Sequence, residues 1–187
     1  MANKAIKYRV YPTTEQNIMF TKTFGCCRKV YNLMLSDKIE GYKATGKFPT
    51  ITPAKYKNDY PYFREVDSLA LANKQMDLRE AFRNTFSKSR KKKNGFPKFK
   101  SAKHSRKSYT TNNQKGTVAI IDNKCIKLPK IGKVKAVIHR VPDDSWTIKS
   151  ATVSQESDGK YYISVLFEFE NTVNPYVADK TNAIGLD

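Results

Sequence analysis

The hydrophobic period of this chain switches twice, and that ordering restricts its fold more than any other feature. Between Lys4 and Tyr11, Ile6, Tyr8 and Val10 alternate with Lys7 and Arg9, the pattern of a strand with one buried face. Pro12 ends it, and Thr13 with Gln16 reads as a capping box. A helical stripe then runs through Phe20, Phe24, Cys27, Tyr31 and Leu35, and Ile39 and Tyr42 extend it to Gly46. Gly25 leaves open a break there and a helix-turn-helix reading, although such a stripe is more often core than recognition surface. Thr52-Pro53 opens a short helix, and Asp67 or Ser68 caps a longer one with Leu71, Leu78, Phe82 and Phe86 on one side.

Beyond the run Lys91-Lys92-Lys93-Asn94-Gly95 the period returns to two. Residues 117–121, 124–128, 133–140, 148–155 and 161–169 read as strands, with a hairpin signal at Ser157-Asp158-Gly159. The spacing predicts an α+β chain: a small antiparallel β-barrel whose first strand, 1–12, is separated from the rest, 93–178, by an inserted helical bundle, 13–92. Residues 179–187 resemble the start of a further strand.

Charge narrows the function. The 187 residues carry a formal net charge of +18, yet 39% are hydrophobic and 12% aromatic, too many for a disordered basic tail. Such an excess points to polyanionic partners, phosphate backbones first. No apolar run is long enough to span a bilayer, and no membrane partner is expected. An odd cysteine count, Cys26, Cys27 and Cys125, is no disulfide framework, and with two histidines it offers no zinc pattern. A reducing cytoplasm fits this usage best, and the cysteines read as packing residues.

The charge is also localised. From Ala81 to Ile121 there is no Asp or Glu, while twelve of the 35 Lys and Arg residues fall there. Lys91, Lys92, Lys93, Lys98, Lys100, Lys103, Arg106 and Lys107 are candidate phosphate contacts, since each neutralised phosphate releases counterions. Tyr109 is a candidate for stacking on bases. Phe96 and Phe99 fit core packing better, in a Gly-Phe-Pro-x-Phe turn. Arg28 and Asn32, polar neighbours of the aromatic stripe, are candidates for RNA contact. Asp187 could present a metal-binding carboxylate, but two-metal cleavage needs several carboxylates around ions about 3.5–4 Å apart.

These motifs together resemble a known family. Lys7-Tyr8-Arg9-Val10-Tyr11-Pro12-Thr13, Phe24-Gly25 with Arg28-Lys29-Val30-Tyr31-Asn32, Val66-Asp67-Ser68, Ala81-Phe82-Arg83-Asn84, Gly95-Phe96-Pro97-Lys98-Phe99-Lys100, Leu128-Pro129-Lys130-Ile131-Gly132 and the closing Gly185-Leu186-Asp187 are similar to the TnpB family. Those proteins are transposon-encoded RNA-guided DNA endonucleases related to type V CRISPR effectors. The resemblance implies a wedge-type barrel interrupted by a helical recognition domain, with residues 179–187 beginning a RuvC domain. It implies a structured guide RNA from the transposon end, a double-stranded DNA target read first at a short transposon-adjacent motif, and a RuvC site that cuts with magnesium. Protein reads the flanking motif and pairing reads the sequence.

Within the resemblance, the adjacent motif would be read near Ile51, by Ser68, Leu69, Ala72 and Asn73, and by Thr111, Asn112 and Gln114; Asn and Gln suit adenine edges. Asp187 would be the first RuvC carboxylate and a magnesium ligand. The remaining carboxylates are expected beyond residue 187, so the chain is expected to bind without cutting, to hold no tight metal by itself, and to have the later RuvC portion as a partner. Localisation at the prokaryotic nucleoid follows. Two alternatives stay open: a structural RNA-binding protein without enzymatic ancestry, and a nuclease-dead RNA-guided repressor.

Overall fold

The computed structural model describes residues 1–86 and 95–170. Seven strands and two long helices follow the two switches of period. Strand β1, Ala2–Tyr11, leads into helix α1, Thr14–Thr45; two 3-10 turns, Pro53–Tyr56 and Pro61–Arg64, precede α2, Ser68–Phe86. The remaining strands are β2 Lys107–Asn112, β3 Ala119–Ile121, β4 Cys125–Leu128, β5 Gly132–Val137, β6 Thr147–Gln155 and β7 Tyr161–Phe169. They form one antiparallel sheet in the order β2-β6-β7-β1-β5-β4-β3.

The first strand therefore lies at the centre, paired with β7 from Ala2↔Phe169 to Val10↔Tyr161 and with β5 from Arg9↔Val137 to Tyr11↔Lys135. Its alternation meets that of β7 on one face: Ile6, Tyr8 and Val10 are buried with Ile163, Val165 and Phe167. The split strand arrangement expected from the sequence is present, but the sheet curls as a half-barrel and leaves β2 and β3 as its edges. Closure fails for a physical reason. The β3 strand has only three residues, and the β2 edge is occupied by helices instead of a strand.

Strand β2 replaces what the sequence reading took for connecting chain. Its Thr and Ser content hid a half-buried strand whose inward residues are Tyr109 and Thr111. A bulge between Ile148 and Ser150 in β6 is pinned by Asn113, whose backbone N–H donates to the Lys149 carbonyl at 2.7 Å and whose side chain donates to that of Ile148 at 3.0 Å.

Helix α1 starts at the expected capping box. The Gln16 N–H donates to Thr13 Oγ1 at 3.3 Å, and the Thr13 N–H donates to Gln16 Oε1 at 3.1 Å. The Gln16 amide then donates to the Lys133 carbonyl at 2.8 Å, tying the helix start to β5. Phe20, Phe24, Cys27, Tyr31 and Leu35 are all buried, and Phe20 stacks on Tyr161 with ring centroids 5.4 Å apart. Each such ring taken out of water contributes about 1.5–3 kcal/mol. The helix continues without a break through Gly25, so the turn that this glycine left open does not form. Gly46, at φ 69°, ends the helix, with its N–H donating to the Tyr42 carbonyl.

Two helical glycines should respond oppositely to alanine. A Cβ on Gly25 would meet nothing within 4 Å, so Gly25→Ala should stabilise the chain by about 1 kcal/mol through helix propensity. A Cβ on Gly41 would lie 2.6 Å from Pro49 Cγ, so Gly41→Ala should lower stability despite the same propensity gain. Thermal melts of the two variants check both signs; a lower midpoint for Gly25→Ala would contradict the unbroken helix.

Candidate nucleic-acid interface

Polar side chains fasten the helices to the strands along one seam, and the cations gather there. Asn32 on α1 uses both ends of its amide on one residue: its Nδ2 donates to the Lys100 carbonyl and its Oδ1 accepts from the Lys100 N–H, each at 2.8 Å. This fixes the segment that returns from the helices to β2. The Lys100 ammonium then lies 4.0 Å from the centre of the Tyr31 ring. Burial, with the nearby Lys74 charge added, lowers its pKa from the ordinary 10.5, while Asp77 and Cys27 pull the other way.

Between α1, α2 and this return segment lies a cleft of about 340 Å³. Arg28, Lys74, Lys100, Arg106 and Lys107 line it against one carboxylate, Asp77, with Ser105 and Ser108 as hydroxyl donors. Lys74 is only 8% exposed and donates to Asp77 at 2.7 Å. With Lys74 paired to Asp77, the cleft keeps an excess of positive charge that would suit an entering anion.

The candidate residues divide. Arg28, Lys100, Arg106 and Lys107 meet at the cleft, and Lys98 and Lys103 are exposed nearby in the chain. Arg106 approaches Glu156 at 3.5 Å, and Lys107 donates to Gln155 at 3.1 Å. Asn32 is committed to the scaffold. Tyr109 cannot stack on a base: it is buried beneath the cleft, its ring 5.8 Å from that of Phe24, because β2 turns it inward. Phe96 and Phe99, expected in the core, are exposed. Lys91, Lys92, Lys93 and Asp187 lie outside the described residues. Lys74 was missed by sequence reasoning, although a lysine between Leu71 and Leu78 on the apolar face of α2 was its signal.

The second group meets where α2 begins. Asp67 caps this helix, accepting the Leu69 N–H at 3.1 Å, and its other oxygen accepts the buried Thr111 hydroxyl at 2.5 Å. The Asn73 amide donates to its own helix at Leu69 and to the Thr110 carbonyl of β2, both at 2.9 Å. Ser68, Ala72 and Asn112 are exposed around this junction, Leu69 is half-buried, and Gln114 is exposed in the turn after β2. Ile51 and Thr111 are not available to a large ligand: both are buried, Ile51 in the apolar core and Thr111 beneath α2.

Among the described residues, no group of three or more His, Cys, Asp or Glu side chains could hold a metal ion, and no helix is long and apolar enough to cross a membrane. Burial pushes the Cys27 thiol up to about 12, and its Sγ lies 3.6 Å from the Ala70 carbonyl.

The fold and seam define a basic α+β module with an anion-suited cleft between its helices and its sheet. A helix-turn-helix domain family, HTH_OrfB_IS605, matches residues 1–47, which here are β1 and the unbroken α1. A Streptomyces pristinaespiralis protein named "Putative RNA-guided DNA endonuclease" is 30% identical over 192 residues, covering 98% of this chain and 45% of that protein. "Virulence protein VsdF" of Salmonella dublin is 31% identical over 113 residues, 52% of this chain and 92% of that protein. The chain belongs to the TnpB family, and it spans 45% of the length of the Streptomyces relative.

Two outcomes follow from the seam. Asp67→Ala should cost about 1 kcal/mol for the lost cap, and about 1–3 kcal/mol more for the orphaned Thr111 hydroxyl; denaturant unfolding measures the sum, and a loss under 1 kcal/mol would contradict the geometry. Because Cys27 is buried, which also raises its pKa, it should resist a thiol reagent at pH 8 in the folded chain. Its labelling, followed by mass spectrometry, should appear on unfolding, and ready labelling of the folded chain would contradict the packing.

Proposed function

We propose that this chain is the guide-RNA-binding and target-DNA-binding portion of a TnpB-like RNA-guided DNA endonuclease. The cationic cleft at the helix–sheet seam carries the reading: five cations against one carboxylate, in a space that admits a phosphate. Family membership supports it, and the Streptomyces relative, named "Putative RNA-guided DNA endonuclease", suggests the whole-protein activity to which such a portion would contribute. A structured RNA would seat its backbone on Lys103, Arg106 and Lys107 and pass a phosphate toward Lys74 and Lys100.

The adjacent DNA motif would be read at the start of α2 and the end of β2, where Ser68, Ala72 and Asn112 are exposed together. Thr111 and the amide nitrogen of Asn73 would position that surface instead of touching bases, because they already donate within the fold. Asp187 would be this chain's carboxylate in a magnesium site shared with later acidic motifs. The alternative of a structural RNA-binding protein without enzymatic ancestry loses its support once the family is known.

Binding of a structured RNA, titrated across salt concentrations, tests the cleft. Replacing Lys103, Arg106 and Lys107 together by alanine should reduce the slope of log affinity against log salt, by about 0.7–0.9 for each phosphate no longer neutralised. The melting midpoint should hardly change, because such exposed charges contribute little to stability. Lys133 and Lys135, exposed on β5, are the control pair. An unchanged slope and affinity in the triple variant would make the cleft rim a solvated face and sink the proposal.

A further inference from the structure

At the C-terminal ends of α1 and α2, five aromatic rings form a second surface that the cleft does not use. Tyr42 and Phe48 stack with centroids 4.5 Å apart and planes 18° from parallel. Phe48 also meets Phe82 at 4.8 Å and Phe86 at 5.9 Å, and Phe96 stands edge-on to Phe82 at 5.4 Å. The outer members stay in water: Tyr42 is 49% exposed, Phe86 59% and Phe96 45%. Three neighbouring exposed rings on one patch are the mark of a surface that takes a partner.

The surrounding charge says what kind of partner. Lys38 holds its ammonium 5.6 Å from the centre of the Phe82 ring, where burial lowers its pKa. Along the chain, Lys43 follows Tyr42 and Lys47 precedes Phe48, while Arg83, after Phe82, pairs with Glu80; Asp37 and Glu40 are the other acidic residues nearby in the chain. A second copy of a chain with net charge +18 is repelled by such a rim, and so is any basic segment. A nucleic-acid strand satisfies both features, the rings taking base faces and the cations phosphates. In a duplex the base faces are hidden by stacking, so the strand must be unpaired.

We infer that this aromatic ledge is a stacking platform for unpaired nucleotides, separate from the phosphate cleft at the seam. The inference rests on the reading that the chain binds nucleic acid. It adds a division of labour: the cleft holds backbone by charge, and the ledge holds bases by contact. Stacking on neutral rings releases no counterions, so removing rings should leave the salt slope unchanged, whereas removing cleft cations should reduce it.

The test uses the full chain with two probes, an unpaired oligoadenylate carrying 2-aminopurine and a fully paired, blunt-ended RNA duplex. The unpaired probe should show 2-aminopurine quenching on binding, as expected of a stacked base. Tyr42→Ala with Phe86→Ala should weaken it roughly five-fold or more with an unchanged salt slope, while duplex affinity holds. Phe86→Trp should keep or strengthen unpaired binding, and melting midpoints taken alongside separate contact from misfolding. Unchanged quenching and affinity in the double variant overturn the ledge while leaving the cleft standing. Equal weakening of both probes overturns it as well. Binding of neither probe by the parent chain removes the nucleic-acid reading and this inference with it.

Discussion

The pairing of β1 between β7 and β5 is the constraint on which the remaining structure depends. A first strand at the centre of the sheet cannot be completed until the last described strand arrives, nearly the whole chain later. The helices between must leave the sheet and return to it within a fixed distance. Pro12, Thr13 and Gln16 set the departure, and the bond from Gln16 to the Lys133 carbonyl holds the helix start against β5. Such long-range closure is entropically costly and makes the sheet a late event in folding. The deep alternation of β1 and β7, buried from Ile6 to Phe167, offsets that cost.

The return is fixed by hydrogen bonds that side chains make to backbone and to one another, which is why the candidate interface forms at the seam and not in the sheet. Asn32 holds Lys100, Asn73 holds the carbonyl of Thr110 on the edge strand β2, and Asp67 holds Thr111. Each satisfies a polar group that would otherwise face the apolar helix surface. Their combined effect is to bring cations from three separate stretches, at Arg28, Lys74 and Lys100–Lys107, into one cleft. Mutual repulsion of those cations is a cost of assembly that a phosphate entering the cleft would reduce.

The seam also separates residues left exposed to a ligand from residues that only hold the surface. Asn32 and Asn73 have amides that could pair with bases in isolation, but backbone partners take both ends of Asn32 and the nitrogen of Asn73. Exposure, not chemistry, distinguishes them from Asn112 and Arg106. The same criterion exchanges the aromatics: Tyr109 is withdrawn into the core by its inward position on β2, whereas Phe96 and Phe99 stay outside because the return segment packs by its backbone.

Sequence alone determined the switching order of strand, helix and strand, the buried stripe of α1, the capping box and the concentration of charge, since each is a local pattern or a sum. It also carried the family resemblance, through motifs spread along the chain. Whether Gly25 breaks a helix, whether the sheet closes, and that 107–112 is a strand were settled only by packing, because a glycine or a Ser/Thr-rich run is locally compatible with either outcome. Lys74 became a cleft residue only when α2 lay against α1 and placed it beside Asp77 and near Lys100. Tertiary structure decided which candidate atoms remain free, because a side chain's availability depends on what it already bonds, and those partners are remote in sequence.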